Sequence, residues 1–170
     1  MFNPAGHRTM STPHISTEFP HHFAVQPEAI TVVGIELRTT NPEAMQTIPP
    51  HWQRFGQEGV LERISGRLDG DVLAVYTHFA HAGRDNTGLY SLVIGAQVAP
   101  DAPVPAGMVR VVVPASRRAI FPVLPASFER VGPAWGAVWA QTTLPKTFVA
   151  EYERYAANGD ISISIGLERH

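Results

Sequence analysis

Cysteine is absent from the 170 residues, which excludes disulfides, thiol nucleophiles and zinc–thiolate sites. No run of Lys and Arg is present and the net charge is −2 at pH 7, so the basic footprint of a nucleic-acid-binding protein is missing. No segment reaches the roughly 20 consecutive apolar residues of a membrane span, and no basic-then-apolar signal pattern opens the chain. We therefore expect a cytoplasmic protein with no direct nucleic-acid or membrane partner.

Motifs of nucleotide and acyl-transfer enzymes are also lacking. The sequence contains no Gly-x-Ser-x-Gly elbow and no Gly-rich phosphate loop. His78 and His81 have a spacing that metal ligands use, but they follow a strand-like segment and no third ligand accompanies them. We interpret them as ordinary loop histidines. The sequence predicts neither a metal nor a cofactor.

The composition predicts one domain with a large apolar interior or cavity. Charged residues make up only 16% of the chain and hydrophobic residues 44%, against a usual charged fraction of about 25%. Residues 1–26 are rich in His, Pro, Ser and Thr without periodicity, which indicates a flexible leader before a domain at 27–170. Met10 is a second candidate start. Deletion of residues 1–24 is expected to change the melting temperature by a few degrees at most.

The first half, residues 28–98, has the order strand, helix, hairpin. The strand covers 30–38 and is dense in β-branched residues. A helix is expected to begin at Pro49 and Pro50, since Pro is favoured in the first turn, and to weaken at Gly56 and Gly59. Two further strands, 71–79 and 89–98, flank a turn-forming segment and form a hairpin.

The second half, residues 108–168, repeats this order. It contains β-rich segments, a helix capped by Ser127, a strand at 147–155 with helix as the alternative, and a strand at 161–168 with unbroken alternation. The final strands share a local pattern that ends in Gly95 and Gly166. This echo predicts an α+β fold of duplicated βαββ units with pseudo-twofold symmetry, in which antiparallel sheets carry helices packed on one side. The cleft between the halves is the expected pocket.

Acids alternate with aromatic residues near the C-terminus. If 147–155 is a strand, Val149, Glu151, Glu153 and Tyr155 share one face. A carboxylate on an apolar face is costly unless it is paired or used. On spacing alone, solvated surface glutamates are the simpler interpretation. In the same way, large aromatics at helical spacing ordinarily fill a core; Trp52, Trp135 and Trp139 have this spacing.

Seven short motifs occur in an order that resembles the GyrI-like family, the effector-binding domain of AraC- and MerR-type multidrug regulators. The resemblance spans about residues 28–168. Its motifs are Val32–Arg38, Ile48–Phe55, Ala74–Tyr76 with Gly88–Gly95, Pro105–Met108, Ile120-Phe121, Trp135 with Leu144-Pro145, and Glu151–Tyr155, where Tyr152 replaces the family's Phe.

The resemblance implies a duplicated βαββ fold that binds amphipathic, often cationic or planar molecules for sensing or sequestration. It places a ligand-binding acid at Glu153 and implies an aromatic wall of Trp52, Phe55, Tyr76, Tyr90 and Trp139. No DNA-binding segment precedes this domain in the sequence, so we expect a stand-alone form of the module rather than a complete transcription regulator.

Two other functions remain open. Some relatives resemble hydrolases that open strained electrophilic rings, in which case Glu153 would activate water. The family's namesake inhibits gyrase through a protein interface, but no motif here identifies a protein partner. We expect a ligand-binding protein rather than an enzyme.

Overall fold

The computed structural model describes residues 19–169 and has an α+β fold. Within that range no helix is long and apolar enough to cross a membrane. Eight strands form one antiparallel sheet: β1 (His22–Gln26), β2 (Ile30–Thr39), β3 (Val72–Thr77), β4 (Tyr90–Val98), β5 (Val109–Val113), β6 (Ser116–Pro122), β7 (Ala150–Tyr155) and β8 (Ile161–Leu167). The helices are α1 (Ala44–Gln57), α2 (Val60–Arg63) and α3 (Val131–Ala140), with 3-10 turns at Asn41–Glu43 and Phe128–Arg130.

The strand order is the same in both halves. The sheet runs β1-β6-β8-β7-β3-β4-β2-β5, so each half places its last strand between its other two. The halves meet where β3 pairs with β7 in antiparallel orientation, with Ala74 opposite Glu153. This arrangement confirms the duplicated α+β architecture and the pseudo-twofold relation that the sequence predicts.

The two halves also exchange their leading strands. β1 precedes β2 but pairs with β6, whereas β5 precedes β6 but pairs with β2. The connections 27–29 and 114–115 are short, so the two edge strands, β1 and β5, come close to each other. Gln26 Nε2 of β1 donates to the carbonyls of Val113 and Pro114 at 3.2 and 3.1 Å. The repeat is therefore a ββαββ unit. The expected span 108–168 includes β5, which lies at the edge of the first half.

Helices α1 and α3 cover one face of the sheet, as expected. Ile48, Trp52 and Phe55 of α1 pack on the buried side chains of Ala74, Leu92 and Ile94. Helix α3 packs on the second half in a cluster that contains Ala119, Phe121, Ile163, Ile165, Val131, Ala134, Trp135 and Val138. The opposite face forms its own apolar cluster from Ile30, Val32, Leu73, Val75, Val93, Val111, Val113, Ala150 and Tyr152.

Helix α1 begins earlier than the sequence predicts. It starts at Ala44 after a 3-10 turn with Pro42, so Pro49 and Pro50 lie inside it. Interior prolines remove backbone hydrogen bonds, but the side chains that this helix packs on the sheet bury apolar area that offsets the loss. The predicted weak point is confirmed, because the helix ends before Gly59, which has a φ of 57°. Residues 150–155 form a strand, so the helical alternative for 147–155 is wrong.

Part of the expected leader belongs to the domain, so the boundary at residue 26 is wrong. Residues 22–26 form β1, and Phe19 is 4% exposed in a cluster with Phe121 and Trp135. The sequence reveals neither feature. Strand β1 is short and both of its faces are largely exposed, so no alternation of apolar and polar residues marks it. Phe19 is one isolated apolar residue, so it has no periodicity. Residues 1–18 of the leader lie outside the described residues. Deletion of 1–24 would remove Phe19 and much of β1, so we now expect it to destabilise the domain.

Substitution of Phe19 tests this anchor. Phe19→Ala should lower the free energy of unfolding by about 3 kcal/mol, since a buried phenyl ring is replaced by a cavity. Urea denaturation measures the change. Phe23→Ala is the matched control, because Phe23 is 58% exposed and its loss should cost well under half as much. Equal effects of the two substitutions would contradict the anchoring role.

Candidate functional site

A cavity of about 950 Å³ lies where the two halves of the sheet meet. Strands β3 and β7 contribute to its lining, as do α1, its preceding turn, and α3. Its walls are largely apolar and aromatic, and its lining residues are Asn41, Ala44, Met45, Ile48, Pro49, Trp52, Tyr76, Phe79, Asn86, Tyr90, Phe128, Val131, Gly132, Trp135, Trp139, Lys146, Phe148, Glu151, Glu153 and Tyr155.

Glu153 is buried at the centre of this cavity wall and accepts three hydrogen bonds. Oε2 accepts from the Tyr76 hydroxyl at 2.8 Å and from Trp135 Nε1 at 2.7 Å. Oε1 accepts from the Tyr155 hydroxyl at 2.6 Å. Each donor comes from a different direction: β3 beside the acid, α3 above it, and the next same-face position of β7. Hydrogen bonds to a carboxylate are the strong kind that makes a buried charge tolerable.

Burial raises the pKa of Glu153, and the hydrogen bonds from Tyr155, Trp135 and Tyr76 oppose that rise. The pKa values of the neighbouring phenols rise as well. Burial raises the pKa of Tyr76 and Tyr155, and the neighbouring negative charge of Glu153 raises both further. The pKa of Tyr90 rises to about 12 from the same causes. The tyrosines therefore stay protonated, and Tyr76 and Tyr155 donate to the Glu153 carboxylate.

The aromatic rings contact one another in a connected network. Trp52 meets Tyr155 edge-on with ring centroids 5.1 Å apart, and it meets Phe128 at 5.4 Å. Tyr76 contacts Trp135 at 5.3 Å and Tyr90 at 5.8 Å. These spacings are favourable for aromatic pairs. Packing between the rings thus holds the walls in position.

The structure brings together five of the six residues predicted for the site. Glu153, Trp52, Tyr76 and Tyr90 line the cavity, and Trp139 lies at its rim, 49% exposed. Phe55 does not line it. Its ring centroid lies 5.9 Å from that of Trp52, and unlike Trp52 it also packs on the cluster that contains Val33 and Ile35.

Trp135 and Tyr155 were missed as site residues although both bind Glu153. The period-two pattern does place Tyr155 on the face of Glu153, which was a usable signal. Trp135 carried no such signal, since a helical tryptophan is ordinarily core. Phe79, Phe128 and Phe148 also line the cavity, from a loop, a 3-10 turn and another loop, where periodicity gives no information.

Glu151 is a second acid in the cavity wall. It is 5% exposed, and burial raises its pKa to about 7, against the opposing positive charges of Arg118 and Lys146. Tyr76 lies opposite it in register on β3. Among the described residues, no donor lies within hydrogen-bonding distance of its carboxylate. The two acids thus share one face of β7, but only Glu153 accepts hydrogen bonds from described residues.

The His78 and His81 pair has other partners. His81 Nδ1 lies 2.8 Å from the Thr87 hydroxyl and 3.2 Å from Asp85, and the His78 carbonyl accepts from Arg38 at 3.2 Å. Across residues 19–169, no group of three His, Cys, Asp or Glu side chains is arranged to hold a metal.

Residues 25–164 match a family model described as Cass2, integron-associated effector binding protein. The chain belongs to this family. The match covers both halves of the sheet and the cavity between them. It agrees with the resemblance to GyrI-like effector-binding domains, and it supports binding of a small molecule. None of the curated proteins is significantly similar in sequence.

Solved structures share this fold at low sequence identity. An integron cassette protein from Vibrio cholerae is 20% identical with a TM-score of 0.66, over 88% of this chain and 97% of that one. SAV2435 bound to tetraphenylphosphonium is also 20% identical, with a TM-score of 0.71 over 88% of this chain and 94% of that one. At this level of identity the similarity establishes the common fold.

The raised pKa of Glu151 makes stability depend on pH. An unfolded glutamate has a pKa of about 4.3, so between that value and about 7 the folded state binds more protons than the unfolded state. Stability contributed by Glu151 is therefore present at low pH and lost as pH rises through about 7.

Glu151→Gln cannot titrate, so its free energy of unfolding relative to wild type should rise by on the order of 2 kcal/mol from about pH 5.5 to about pH 8. Urea denaturation at both pH values measures this, with the exposed Glu62→Gln as control. A difference between Glu151→Gln and wild type that does not vary with pH would contradict the buried acid.

Proposed function

We propose that the cavity binds amphipathic organic cations, with Glu153 as the counter-charge and the surrounding rings as the walls, for sensing or sequestration of such compounds. The observation that carries this proposal is a hydrogen-bonded, buried carboxylate within a cavity of largely aromatic walls.

The electrostatics of Glu153 favour a diffuse cation. A charge held away from water attracts an opposite charge far more strongly than one in solution. Both oxygens of Glu153 already accept protein hydrogen bonds, so it offers a ligand mainly charge. Aromatic faces add cation–π attraction without demanding one ligand shape. A lipophilic cation without N–H groups fits this site, because it needs only an opposite charge and aromatic contact.

The size and lining of the cavity favour a ligand of several rings. Its volume of about 950 Å³ lies near the upper end of the ~300–1,000 Å³ range of small-molecule pockets. Met45 and Trp139 leave apolar surface exposed near the opening, at 87% and 49%. Exposed apolar surface at a concave site is typical of ligand contact.

The relatives supply a probe. SAV2435, which has the same fold, has a structure with tetraphenylphosphonium bound. That ion is a quaternary aromatic cation, the class that the Glu153 environment favours on physical grounds. Tetraphenylphosphonium is therefore the first ligand to test on this chain.

The alternative function is a hydrolase that uses Glu153 to activate water. A carboxylate has about four acceptor positions, and three donors already use this one. The arrangement therefore favours holding charge over accepting a proton from water. Consumption of a strained-ring electrophile that is lost in Glu153→Gln would support the hydrolase instead.

Glu153→Gln tests the counter-charge. The substitution keeps the shape and removes the charge, so it should weaken tetraphenylphosphonium by about 1–3 kcal/mol, the scale of a charge-assisted contact. The neutral triphenylphosphine oxide should be affected much less. Titration of tryptophan fluorescence measures both affinities. In wild type, cation affinity should also fall as pH falls through the raised pKa of Glu153, because protonation removes the same charge.

The matched control is Glu62→Gln, which removes one negative charge from an exposed helical position outside the cavity. It should leave both affinities within about twofold, since exposed charges are screened. Equal cation affinity of wild type and Glu153→Gln would mean that the acid has only a structural role.

Trp52→Ala tests the aromatic wall separately from the charge. Trp52 lines the cavity and contacts Tyr155 and Phe128. Its removal should weaken the cation and the neutral compound alike, by about 1–2 kcal/mol, because apolar contact area is lost whatever the ligand charge. Loss of cation binding alone would show that Trp52 acts mainly through cation–π attraction. Because Trp52→Ala removes a tryptophan that contributes to the fluorescence signal, isothermal titration calorimetry is used to measure both affinities.

A further inference from the structure

Glu151 is a buried acid in the cavity wall. It is 5% exposed, yet no donor within the described part of the chain reaches its carboxylate. Buried polar groups are nearly always hydrogen-bonded, so an exception calls for an explanation. The side chain lines the cavity, and its oxygens are not among the fully enclosed atoms that lack partners. Its free acceptor positions therefore open towards the ligand space.

The position of Glu151 on β7 explains why its neighbours do not satisfy it. It lies two residues before Glu153 on the same face, about 6.6 Å away along the strand. Tyr76 stands opposite Glu151 in register, but its hydroxyl donates to Glu153. The donor that could have reached Glu151 from β3 is thus already engaged.

The hydrogen bonds of the two cations near Glu151 go to other groups. Arg118 of β6 donates to the Ser164 hydroxyl and carbonyl, to the Ser116 hydroxyl and to the Ala150 carbonyl. Lys146, in the segment before β7, donates to the Gln141 carbonyl at 2.6 Å. Both cations lower the pKa of Glu151 through charge alone. Their positive charge stabilises the ionised form of Glu151, but they do not fill its hydrogen-bond acceptor positions.

We infer that Glu151 is a second ligand anchor, which accepts hydrogen bonds from the N–H groups of primary ammonium or amidinium ligands. This inference rests on the proposed function and divides it between two acids. Glu153, already hydrogen-bonded by three donors, attracts any cation. Glu151 distinguishes cations that can donate from quaternary cations that cannot, because only a donor fills its empty acceptor positions.

A matched pair of probes separates these roles. One is a pyrene-bearing primary ammonium ion and the other is its N-trimethyl analogue. Both carry one positive charge and the same ring system, and pyrene quenches tryptophan emission by energy transfer. Wild type should bind the primary ammonium about 10-fold more tightly, the scale of one charge-assisted hydrogen bond.

The variants should respond differently. Glu151→Gln should reduce the preference for the primary ammonium to about twofold or less, because the charged acceptor is lost. Glu151→Met removes the acceptor altogether and should abolish the preference. Glu153→Gln should weaken both probes by a similar factor and leave their ratio intact. Glu62→Gln should change neither affinity, since its side chain is exposed and outside the cavity.

The pH dependence of wild type provides a measurement that needs no folded variant. Both probes keep their charge between about pH 6 and about pH 8, since alkyl ammonium groups titrate near 10. Glu151 titrates at about 7, with Arg118, Lys146, Tyr76 and Glu153 as the titratable groups around it. The preference for the primary ammonium should therefore fall by about fivefold or more from pH 8 to pH 6.

The outcomes distinguish the two proposals. If neither probe binds, or if Glu153→Gln leaves both affinities unchanged, the proposed function fails. If both probes bind and depend on Glu153, but wild type shows no preference or Glu151→Met retains it, only the role of Glu151 is overturned. A pH-independent preference in wild type would overturn it as well.

Discussion

The Glu153 carboxyl group can be buried inside the protein because three donors converge on it. Tyr76 comes from the first half of the chain, and Trp135 and Tyr155 come from the second. The bonds require β3 to lie beside β7 in register and α3 to lie over the sheet. An unpaired carboxylate in that position would protonate or destabilise the fold. The same set of hydrogen bonds thus connects the two halves and stabilises the buried carboxyl group in the cavity wall.

The exchange of leading strands ties the halves together at the outer edges, as Glu153 does at the centre. β1 and β5 each complete the sheet of the opposite half. The glycine echo in the sequence has a related physical cause. A Cβ at Gly95 would collide with the backbone of Val33 and Gly34, and one at Gly166 would collide with Thr147 Oγ1 at 2.8 Å. A backbone contact therefore requires glycine at Gly95, whereas the close neighbours of Gly166 are side chains.

Two acids on one strand face show how environment sets chemistry. Glu151 and Glu153 are both buried, and burial raises the pKa of both. Glu153 has three donors, whereas Glu151 has nearby positive charge but no donor among the described residues. Under the functions proposed above, the first holds charge in an aromatic cavity and the second offers acceptor positions. Such a division would let one cavity bind many cations while it ranks those that carry N–H groups higher.

Local periodicity in the sequence determined the α+β class, the hairpins, the strand β8 and the common face of Glu151, Glu153 and Tyr155, because alternation reports which side of a strand a residue occupies. The resemblance added the aromatic residues around Glu153. Only the tertiary structure decided that Phe19 and β1 join the core, that the leading strands exchange, that Phe55 packs beside Trp52 without lining the cavity, and that Trp135 reaches Glu153. These features depend on contacts between segments distant in sequence. A residue's periodicity shows its own face, but it does not show which distant element will cover that face.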